Sequence, residues 1–295
     1  MDCAVAIDLG GTKLAAGVVD ADGRILAKSK RPVDRRETVA QMAAAAEEAV
    51  AAAGVAWSRV RAAGVIVPGV YFPATGNVWA PNLFGHAEVP LGRELAARLP
   101  VPVTIDSDRA GYVLGEQWLG AARGLADVVF LAVGTGIGAG IFTGGRLCRG
   151  AGGIAGAVGW FALDPRREPA WQQTGCWEAQ AAGPAVARRA GMAVAEEVVA
   201  AARAGDARAL GVLEETAGWL AMGIANLVSL LNPEMVVLGG GLIEGAGGLL
   251  LEPIRREVLE WAQPIAAHRV RIELSRLGED AGLLGAAKLA LDHVR

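Results

Sequence analysis

The sequence predicts a two-lobed α/β protein in which the second lobe repeats the order of elements of the first. Its 295 residues suffice for about two domains of ~150 residues each. Short apolar runs that end in Gly, Asp or Pro alternate with longer Ala-rich stretches, a pattern typical of α/β folds. An order of strand, glycine turn, two strands, helix, strand, helix begins near residue 4 and again near residue 127. This favours an internal duplication over the alternative of two unrelated α/β domains.

In the first half of the chain, residues 4–26 contain three apolar runs joined by turn residues, which predicts three strands. Residues 37–53 predict a helix, because this Ala- and Glu-rich stretch has no internal Gly or Pro and ends at Gly54. The other expected elements are a strand at 62–67, a polar loop, a helix at 91–99, a strand at 101–105 and a helix from about 106 toward 120.

The second half is expected to follow the same plan. A strand at 127–133 leads into a glycine-rich turn at 134–140, followed by extended chain. The later expected elements are helices at 178–190, 193–204 and 207–231, a strand at 235–238, a helix at 249–261, a strand at 270–274 and a helix at 281–293. We therefore predict one lobe over 1–119 and a larger one over 120–280, with the C-terminal helix, about 281–295, packed back on the first.

Charge and hydropathy argue against two classes of partner. The chain carries 28 Lys and Arg against 31 Asp and Glu, a net charge of -3, and no long basic run. Nucleic-acid binding needs clustered cations, so we expect none. The apolar stretch at 221–231 is interrupted by Asn226, well short of the ~20 apolar residues of a membrane helix, so no membrane partner is expected either.

Cysteine usage predicts a reducing compartment. Cys3, Cys148 and Cys176 are an odd number at wide spacings, which suits neither a disulfide framework nor a paired metal knuckle. No secretory signal is visible at the start, so a cytoplasmic location is expected. The 41 glycines are about twice the usual share, and they cluster in motifs that need an explanation.

The first glycine cluster follows an acid at the end of the first predicted strand. In Asp8-Leu9-Gly10-Gly11-Thr12-Lys13, glycine backbone can approach phosphate oxygens, and Thr12 and Lys13 add donors. Asp8 can hold Mg²⁺, directly or through water. No Gly-Lys-Ser/Thr triplet is present, so this is not a Walker A loop. The alternative is an ordinary Gly-Gly hairpin beside an unrelated acid.

The second cluster, Gly134-Thr135-Gly136-Ile137-Gly138-Ala139-Gly140, opens the second lobe. Its spacing is similar to a dinucleotide fingerprint, which would indicate an NAD-dependent oxidoreductase. That fingerprint requires a helix at its third position, whereas the residues that follow are typical of a strand and turn. We therefore predict a phosphate-facing β-hairpin, with a purely structural glycine turn as the alternative.

Two acids flank Ser107 between a predicted strand and a predicted helix. Asp106 or Asp108 could simply cap the helix. The functional alternative is a carboxylate base that takes the proton of a substrate hydroxyl as it attacks a γ-phosphoryl group.

Together these segments resemble the ROK family of sugar kinases and repressors, and the resemblance runs through nearly the whole chain in order. The segments that carry it are Asp8–Lys13, Gly64–Gly69, Ala80–Leu83, Ser107–Asp108 with Leu114–Glu116, Gly134–Gly138, Gly175–Glu178, Leu231–Glu234 and Asp280–Ala287. The resemblance implies an actin-like ATPase fold of two ribonuclease-H-like lobes with a cleft between them, a homodimer or larger assembly, and ATP- and Mg²⁺-dependent phosphorylation of a hexose or amino sugar.

The resemblance also implies roles for individual residues. It makes Asp108 the general base. It places the donor phosphates and nucleotide at Asp8, Gly10, Gly11, Thr12, Lys13, Gly134, Thr135, Gly136, Gly138, Gly239, Gly240 and Gly241. It places the acceptor sugar at Gly69, Asn82, Ser107, Asp108, Trp160 and Glu178. Family repressors carry an N-terminal DNA-binding extension, and none is expected here because the first strand begins by Cys3.

The chain departs from the family around the acceptor. Ala157-Val158-Gly159-Trp160 stands where the family has Glu-x-Gly-His, and Ser107 replaces the Asn before the base. Of the family's zinc ligands only Cys176 remains, because Trp160, Pro169 and Trp171 occupy the other positions. We therefore expect no structural zinc, and a buried, unreactive Cys176. Trp160 either stacks on the acceptor or packs in the core.

The function predicted from the sequence is an ATP-dependent sugar kinase, with the acceptor not identified. The loss of two polar sugar contacts leaves open a second class, a sugar- or nucleotide-binding regulatory protein without catalysis. The oxidoreductase interpretation would require a helix directly after Gly140.

Overall fold

The structure is a computed structural model that describes residues 2–293, and these form two compact units. The first unit contains the described residues up to Arg123, the segment Arg149–Ile154, and those from Glu279 onward. The second contains Gly124–Cys148 and Ala155–Gly278. Residues 294 and 295 of the predicted C-terminal helix lie outside the described residues.

The first unit is built on a five-stranded sheet of order β3-β2-β1-β4-β8. Strands β1, β4 and β8 run parallel to one another, β2 pairs antiparallel with β1, and β3 pairs antiparallel with β2. Its elements are β1 (Cys3–Leu9), β2 (Lys13–Asp20), β3 (Ile25–Pro32), α1 (Thr38–Ala52), β4 (Val60–Val67), β5 (Val70–Phe72), β6 (Asn77–Trp79), α2 (Pro81–Phe84), β7 (Glu88–Val89), α3 (Leu91–Ala96), β8 (Val103–Ser107) and α4 (Asp108–Trp118).

The second unit repeats this topology in a sheet of order β11-β10-β9-β12-β13. The first three of these strands are again antiparallel, and the last two join β9 in parallel. Its elements are β9 (Val128–Val133), β10 (Ile137–Thr143), β11 (Arg146–Leu147), α5 (Trp171–Thr174), α6 (Cys176–Ala181), α7 (Gly183–Ala190), α8 (Ala195–Arg203), α9 (Ala207–Leu231), β12 (Met235–Gly239), α10 (Gly241–Trp261), α11 (Pro264–Arg269) and β13 (Arg271–Leu274). The predicted duplicated α/β fold is confirmed.

The last helix, α12 (Ala281–His293), belongs to the first unit, where it packs on β1 and β4 through a small apolar cluster. It also lies very close to α4. A Cβ atom on Gly285 would stand 1.8 Å from the backbone oxygen of Gly111, so the two helices need glycine at this crossing. This close packing holds the N-terminus of α12 beside the ends of β1 and β8.

Several boundaries differ from the prediction. The expected helix over 178–190 is two helices, because Ala182 is extended and Pro184 lies in the first turn of α7. The stretch at 70–89, expected as a polar loop, forms a small three-stranded sheet of β5, β6 and β7. Helix α11 was not expected at all.

The largest difference concerns α10, which begins at Gly241 rather than at 249. Gly245, Gly247 and Gly248 give its first turns a low helix propensity. Burial of Leu242 and Ile243 in the core stabilises the helix there despite that propensity. Within residues 2–293, no helix combines the length and the apolar character needed to cross a membrane.

Candidate active site

The turn between β1 and β2 presents bare backbone beside a carboxylate. Gly10 N donates to Lys13 O at 2.8 Å and closes the turn. No atom lies within 4 Å of the position that a Cβ on Gly11 would take, so open space lies over the turn. Thr12 and Lys13 are exposed, and Asp8 is half-buried at the end of β1. The predicted phosphate segment is thus brought together in one place.

The carboxylate of Asp8 lies against the first turn of α12. A Cβ on Gly282 would stand 2.1 Å from Asp8 Oδ2, so glycine at this position makes room for the acid. Burial and the nearby charge of Asp108 raise the pKa of Asp8 to about 7, and Lys30 partly opposes them. The two acids are therefore close enough to interact electrostatically within the first unit.

The second of these acids opens helix α4. Ser107 is the last residue of β8 and caps the helix, since its Oγ accepts from Ala110 N at 3.3 Å. The expectation that an acid serves as the cap is wrong, because the serine between the two acids takes that role. Asp108 is instead the first residue of α4, and its Oδ1 accepts from Arg109 N at 2.8 Å.

The environment of Asp108 suits a proton acceptor. Burial raises the pKa of this carboxyl to about 6, against the lowering effect of Arg109 and of the backbone hydrogen bond. A general base works best when its pKa lies near the working pH. Asp108 therefore combines ionisation at neutral pH with a higher basicity than an exposed aspartate has.

Gly69 and Asn82, which are predicted to contact the acceptor, lie on the stretch of chain between β4 and α3. Gly69 has φ +114, and a Cβ on it would stand 2.2 Å from Trp79 O, so only glycine fits. Its oxygen accepts from Arg109 Nη2 at 3.2 Å, which ties it to the start of α4. Asn82 is exposed on the short helix α2.

In the second unit, the glycine-rich cluster forms a hairpin turn that is shorter than predicted. Only Gly134, Thr135 and Gly136 make the turn, and Gly138 is already in β10, where it pairs with Ala132. A strand follows the turn, so the helix that a dinucleotide fingerprint requires is absent and the oxidoreductase interpretation is wrong. The predicted β-hairpin is confirmed, and its role in facing the phosphates stays a prediction.

Glu178, at the start of α6, supports this hairpin. Its Oε2 accepts from Ile137 N at 2.8 Å. A Cβ on Gly136 would stand 2.8 Å from the same oxygen, and Gly159 packs on the carboxylate from another side. Burial raises the pKa of Glu178, and the hydrogen bond from Ile137 partly opposes it. One carboxylate oxygen is thus used inside the protein.

The three glycines at the end of β12 and the start of α10 have different environments. Gly239 is buried as the last residue of β12, where a Cβ would stand 2.4 Å from the Phe130 ring, so packing requires glycine here, and its role near the nucleotide stays a prediction. Gly240 has φ +90, and Gly241 begins α10 with open space beside it. Gly134 lies next to Gly241, since a Cβ on it would be 3.5 Å from Gly241 N. The hairpin turn and the start of α10 therefore form one bare-backbone surface.

Trp160 ends a single 3-10 turn, Val158–Trp160, and is 56% exposed. The alternative that it packs in the core is wrong. Cys176 is buried, in agreement with the sequence prediction. Among residues 2–293, no group of three or more His, Cys, Asp or Glu side chains is arranged to hold a metal ion.

Two residues near the site were missed by the sequence reasoning. Arg149 binds the buried Asp106 with its Nε, 2.6 Å from Oδ2, and Arg109 binds Gly69. Each is a single basic residue outside any recognisable motif, so only the tertiary structure reveals its partner. Gly282 lies within the Asp280–Ala287 segment that resembles the ROK family, but no feature of the sequence indicates its contact with Asp8.

Comparison with known proteins identifies the family. The model of the ROK family matches residues 4–293. The chain belongs to the ROK family. Glucokinase of Thermotoga maritima is 33% identical, and the match covers 98% of each chain.

Solved structures of family members share the whole fold. A ROK hexokinase from Thermus thermophilus is 36% identical with a TM-score of 0.84, and the match covers 99% of both chains. A ROK family glucokinase from Streptomyces griseus, in complex with glucose and AMPPNP, is 31% identical with a TM-score of 0.82, and the match covers 98% of this chain and 99% of that one. The residues that resembled the family in the sequence are thus set in a ROK fold.

Proposed function

We propose that this ROK-family protein is an ATP-dependent kinase that phosphorylates a hydroxyl of a sugar or a sugar-like small molecule. The observation that carries the proposal is Asp108, a half-buried carboxylate of raised pKa in the same unit as Asp8 and the open Gly10–Lys13 turn. A base beside a phosphate turn is the apparatus that phosphoryl transfer to a hydroxyl needs.

In this proposal Asp108 accepts the proton of the acceptor hydroxyl as the hydroxyl oxygen attacks the γ-phosphorus and the ADP oxygen leaves. Gly69, Asn82 and Ser107 orient the acceptor in the first unit, and Trp160 and Glu178 contribute from the second. Orientation matters because correct placement of reacting groups supplies much of the rate enhancement in such reactions.

The donor phosphates and nucleotide are assigned to the two glycine turns. Gly10 and Gly11 offer backbone N–H groups, and Thr12 and Lys13 add a hydroxyl and an ammonium. The corresponding residues of the second unit are Gly134, Thr135, Gly136, Gly138, Gly239, Gly240 and Gly241. ATP as donor is supported by the related glucokinase that was solved with AMPPNP.

The residues present fit a magnesium ion. Asp8 and Asp108 are two like-charged, half-buried carboxylates, and the pKa of each is raised, so a divalent cation nearby would relieve their repulsion. Asp8 would hold the ion, directly or through water, together with the ATP phosphates, as is usual for Mg²⁺. The bound ion supplies charge neutralisation at the phosphate oxygens.

The acceptor preference is proposed to differ from that of a site lined by polar side chains. Trp160 offers an exposed aromatic face, and Ala157 offers no polar group. A sugar face rich in C–H groups stacks well on such a ring. The related glucokinase was solved with glucose, so hexoses and amino sugars are the first acceptors to test.

We further propose that the protein forms a homodimer or a higher assembly in the cytoplasm. We also propose that it has no nucleic-acid or membrane partner. Three large apolar side chains, Leu230, Trp261 and Ile265, are 61% to 76% exposed in the second unit. Leu230 lies at the end of α9 and Ile265 at the start of α11. A hydrogen bond from Gln263 N to Ser229 Oγ links these two helix ends. An apolar patch of this kind is typical of a protein interface.

A second candidate function is a sugar- or nucleotide-binding regulator without catalysis. The observation that favours it is the loss of a carboxylate at Ala157 and of an imidazole at Trp160, since fewer polar groups remain to orient an acceptor.

One experiment separates the two functions. Release of ADP from ATP is measured with purified protein and a panel of glucose, other hexoses, amino sugars, N-acetylated amino sugars and polyols. The kinase proposal expects at least one acceptor to raise ADP release well above the rate in water. If every acceptor leaves that rate unchanged while sugar binding is detected calorimetrically, the regulatory function is supported and the kinase proposal fails.

A further inference from the structure

The carboxylate of Asp106 is held from two sides. It lies in β8, two residues before Asp108, and only 9% of its side chain is exposed. Its Oδ1 accepts from Ser107 N at 2.8 Å, and its Oδ2 lies 2.6 Å from Arg149 Nε. The strand end that leads to the proposed base is therefore fixed by an ion pair.

Arg149 reaches Asp106 from a distant part of the chain. It begins the segment Arg149–Ile154, which belongs to the first unit although the chain before and after it belongs to the second. Gly153 has φ +71, and a Cβ on it would stand 2.9 Å from Tyr71 O, so the segment packs closely beside β5. The ion pair thus joins this segment to the strand end.

A chain of contacts leads from Arg149 to Asp108. Asp106 Oδ1 fixes the amide of Ser107, and Ser107 Oγ caps α4 through Ala110 N. Asp108 is the first residue of that helix. Loss of the guanidinium would leave a buried carboxylate without its ionic partner, which is costly and favours a turn of the side chain toward water. Such a turn disturbs the bond to Ser107 that positions Asp108.

We propose that Arg149 is a positioning residue for phosphoryl transfer, acting through Asp106 on the placement of Asp108. The inference rests on the proposed kinase function and assigns no contact between Arg149 and the substrates. Because small displacements of a reacting group cost large factors in rate, the effect falls mainly on kcat.

The kinetic test compares three variants with an acceptor that the wild type phosphorylates. Arg149→Met is expected to lower kcat about 10- to 100-fold, while its KM for ATP stays within about twofold of the wild-type value. Arg149→Lys keeps a charged donor and is expected to recover much of the loss in kcat. Asp106→Asn combined with Arg149→Met is expected to be more active than Arg149→Met alone, because the unpaired buried charge is gone while the amide oxygen can still accept from Ser107.

The matched control is Arg166→Met. Arg166 also pairs with an aspartate whose side chain is 9% exposed, Asp164, but this pair belongs to the second unit, whereas α4 belongs to the first. The kcat of Arg166→Met is expected to stay within about twofold of the wild-type value. If kcat falls equally in Arg166→Met and Arg149→Met, the effect is a general destabilisation of the protein, and the inference is overturned.

Hydrogen exchange gives a readout that does not depend on activity. In Arg149→Met the amides of residues 107–110 are expected to exchange faster than in the wild type, and in the double variant they are expected to return toward the wild-type rate. The positioning role is overturned if these amides exchange in Arg149→Met at the wild-type rate. It is also overturned if the wild type is active and Arg149→Met has the same kcat. A wild type that phosphorylates no acceptor overturns the proposed function instead, and the exchange experiment still decides whether Arg149 positions this segment.

Discussion

The two units share one sheet topology but use it for different chemistry. In the first unit, the hairpin turn follows Asp8 and the helix after β8 opens with Asp108, so both strand ends carry acids. In the second, the corresponding turn is Gly134-Thr135-Gly136, and the helix that opens with Gly241 follows β12, which occupies the sheet position of β4. Acids suit proton transfer and metal binding, whereas bare backbone suits the close approach of a nucleotide. A duplicated scaffold can therefore place the reacting acids in one unit, while both units offer a bare turn to the donor.

The largest expected effect tests the acids of the first unit. Asp108→Asn is expected to lower kcat with the best acceptor about 10²- to 10⁴-fold, because the amide cannot accept the proton. Steady-state ADP release measures the loss. The matched control is Asp206→Asn in the second unit, since Asp206 also lies at a helix start but only caps α9 through Ala209 N, a role that asparagine fills equally well.

A result within about threefold of the wild type for Asp108→Asn would show that the first unit does not supply the base. A matching loss in Asp206→Asn would show that the effect comes from the fold, not from the chemistry.

The next effect tests whether bare backbone in both units binds the donor. Gly11→Ala and Gly241→Ala each add a methyl group into open space, so the fold should tolerate them. If phosphates or nucleotide occupy that space, the KM for ATP rises about tenfold in each while the acceptor KM changes little.

Gly218→Ala is the matched control, because Gly218 lies within α9 and also has open space beside it. It is expected to leave the KM for ATP unchanged. An unchanged KM in both Gly11→Ala and Gly241→Ala would remove the donor from these turns, and a change in only one would assign the donor to one unit.

A smaller effect is expected for acceptor recognition. Trp160→Ala should raise the acceptor KM about three- to tenfold, as expected for loss of a stacking face, with the KM for ATP unchanged. Trp160→Phe, which keeps an aromatic face, should stay near the wild type. Because Trp160 is 56% exposed, neither change should lower the melting temperature by more than a few degrees. Equal acceptor KM values in all three proteins would contradict stacking.

A separate effect is expected on stability. Folding raises the pKa of Asp108 from about 4 to about 6. The free energy of unfolding therefore falls as pH rises through this range, and the loss of stability persists at higher pH. Asp108→Asn should therefore be more stable than the wild type at pH 8, by about 1 to 3 kcal/mol, with no difference near pH 3.5. Denaturant unfolding at both pH values checks this, and a variant less stable at pH 8 would contradict the burial of that charge.

The sequence predicted the duplicated order of strands, because alternating apolar runs and glycine turns follow directly from strand and turn geometry. It also placed Asp8, Asp108 and the hairpin turn at strand ends. It did not reveal α10 before residue 249, where core packing overrides the low propensity of three glycines. Gly239 illustrates a second limit, since its role depends on the distant ring of Phe130.

Arg149 and Gly282 illustrate the same limit for the site. Each contacts an acid that is far away in the sequence, and no periodicity or spacing relates Arg149 to Asp106 or Gly282 to Asp8. Contacts of this kind arise only when helices and strands pack, so they lie beyond any local sequence rule.

The pH dependence of kcat/KM for the acceptor tests the central claim, that Asp108 is the base, most directly. We expect kcat/KM of the wild type to be level at neutral pH and to fall about tenfold per unit below about pH 6, as a carboxyl with a pKa of about 6 takes up a proton. The residual activity of Asp108→Asn should lack this fall. A wild-type profile that stays level down to pH 5, or the same fall in both proteins, would contradict the assignment.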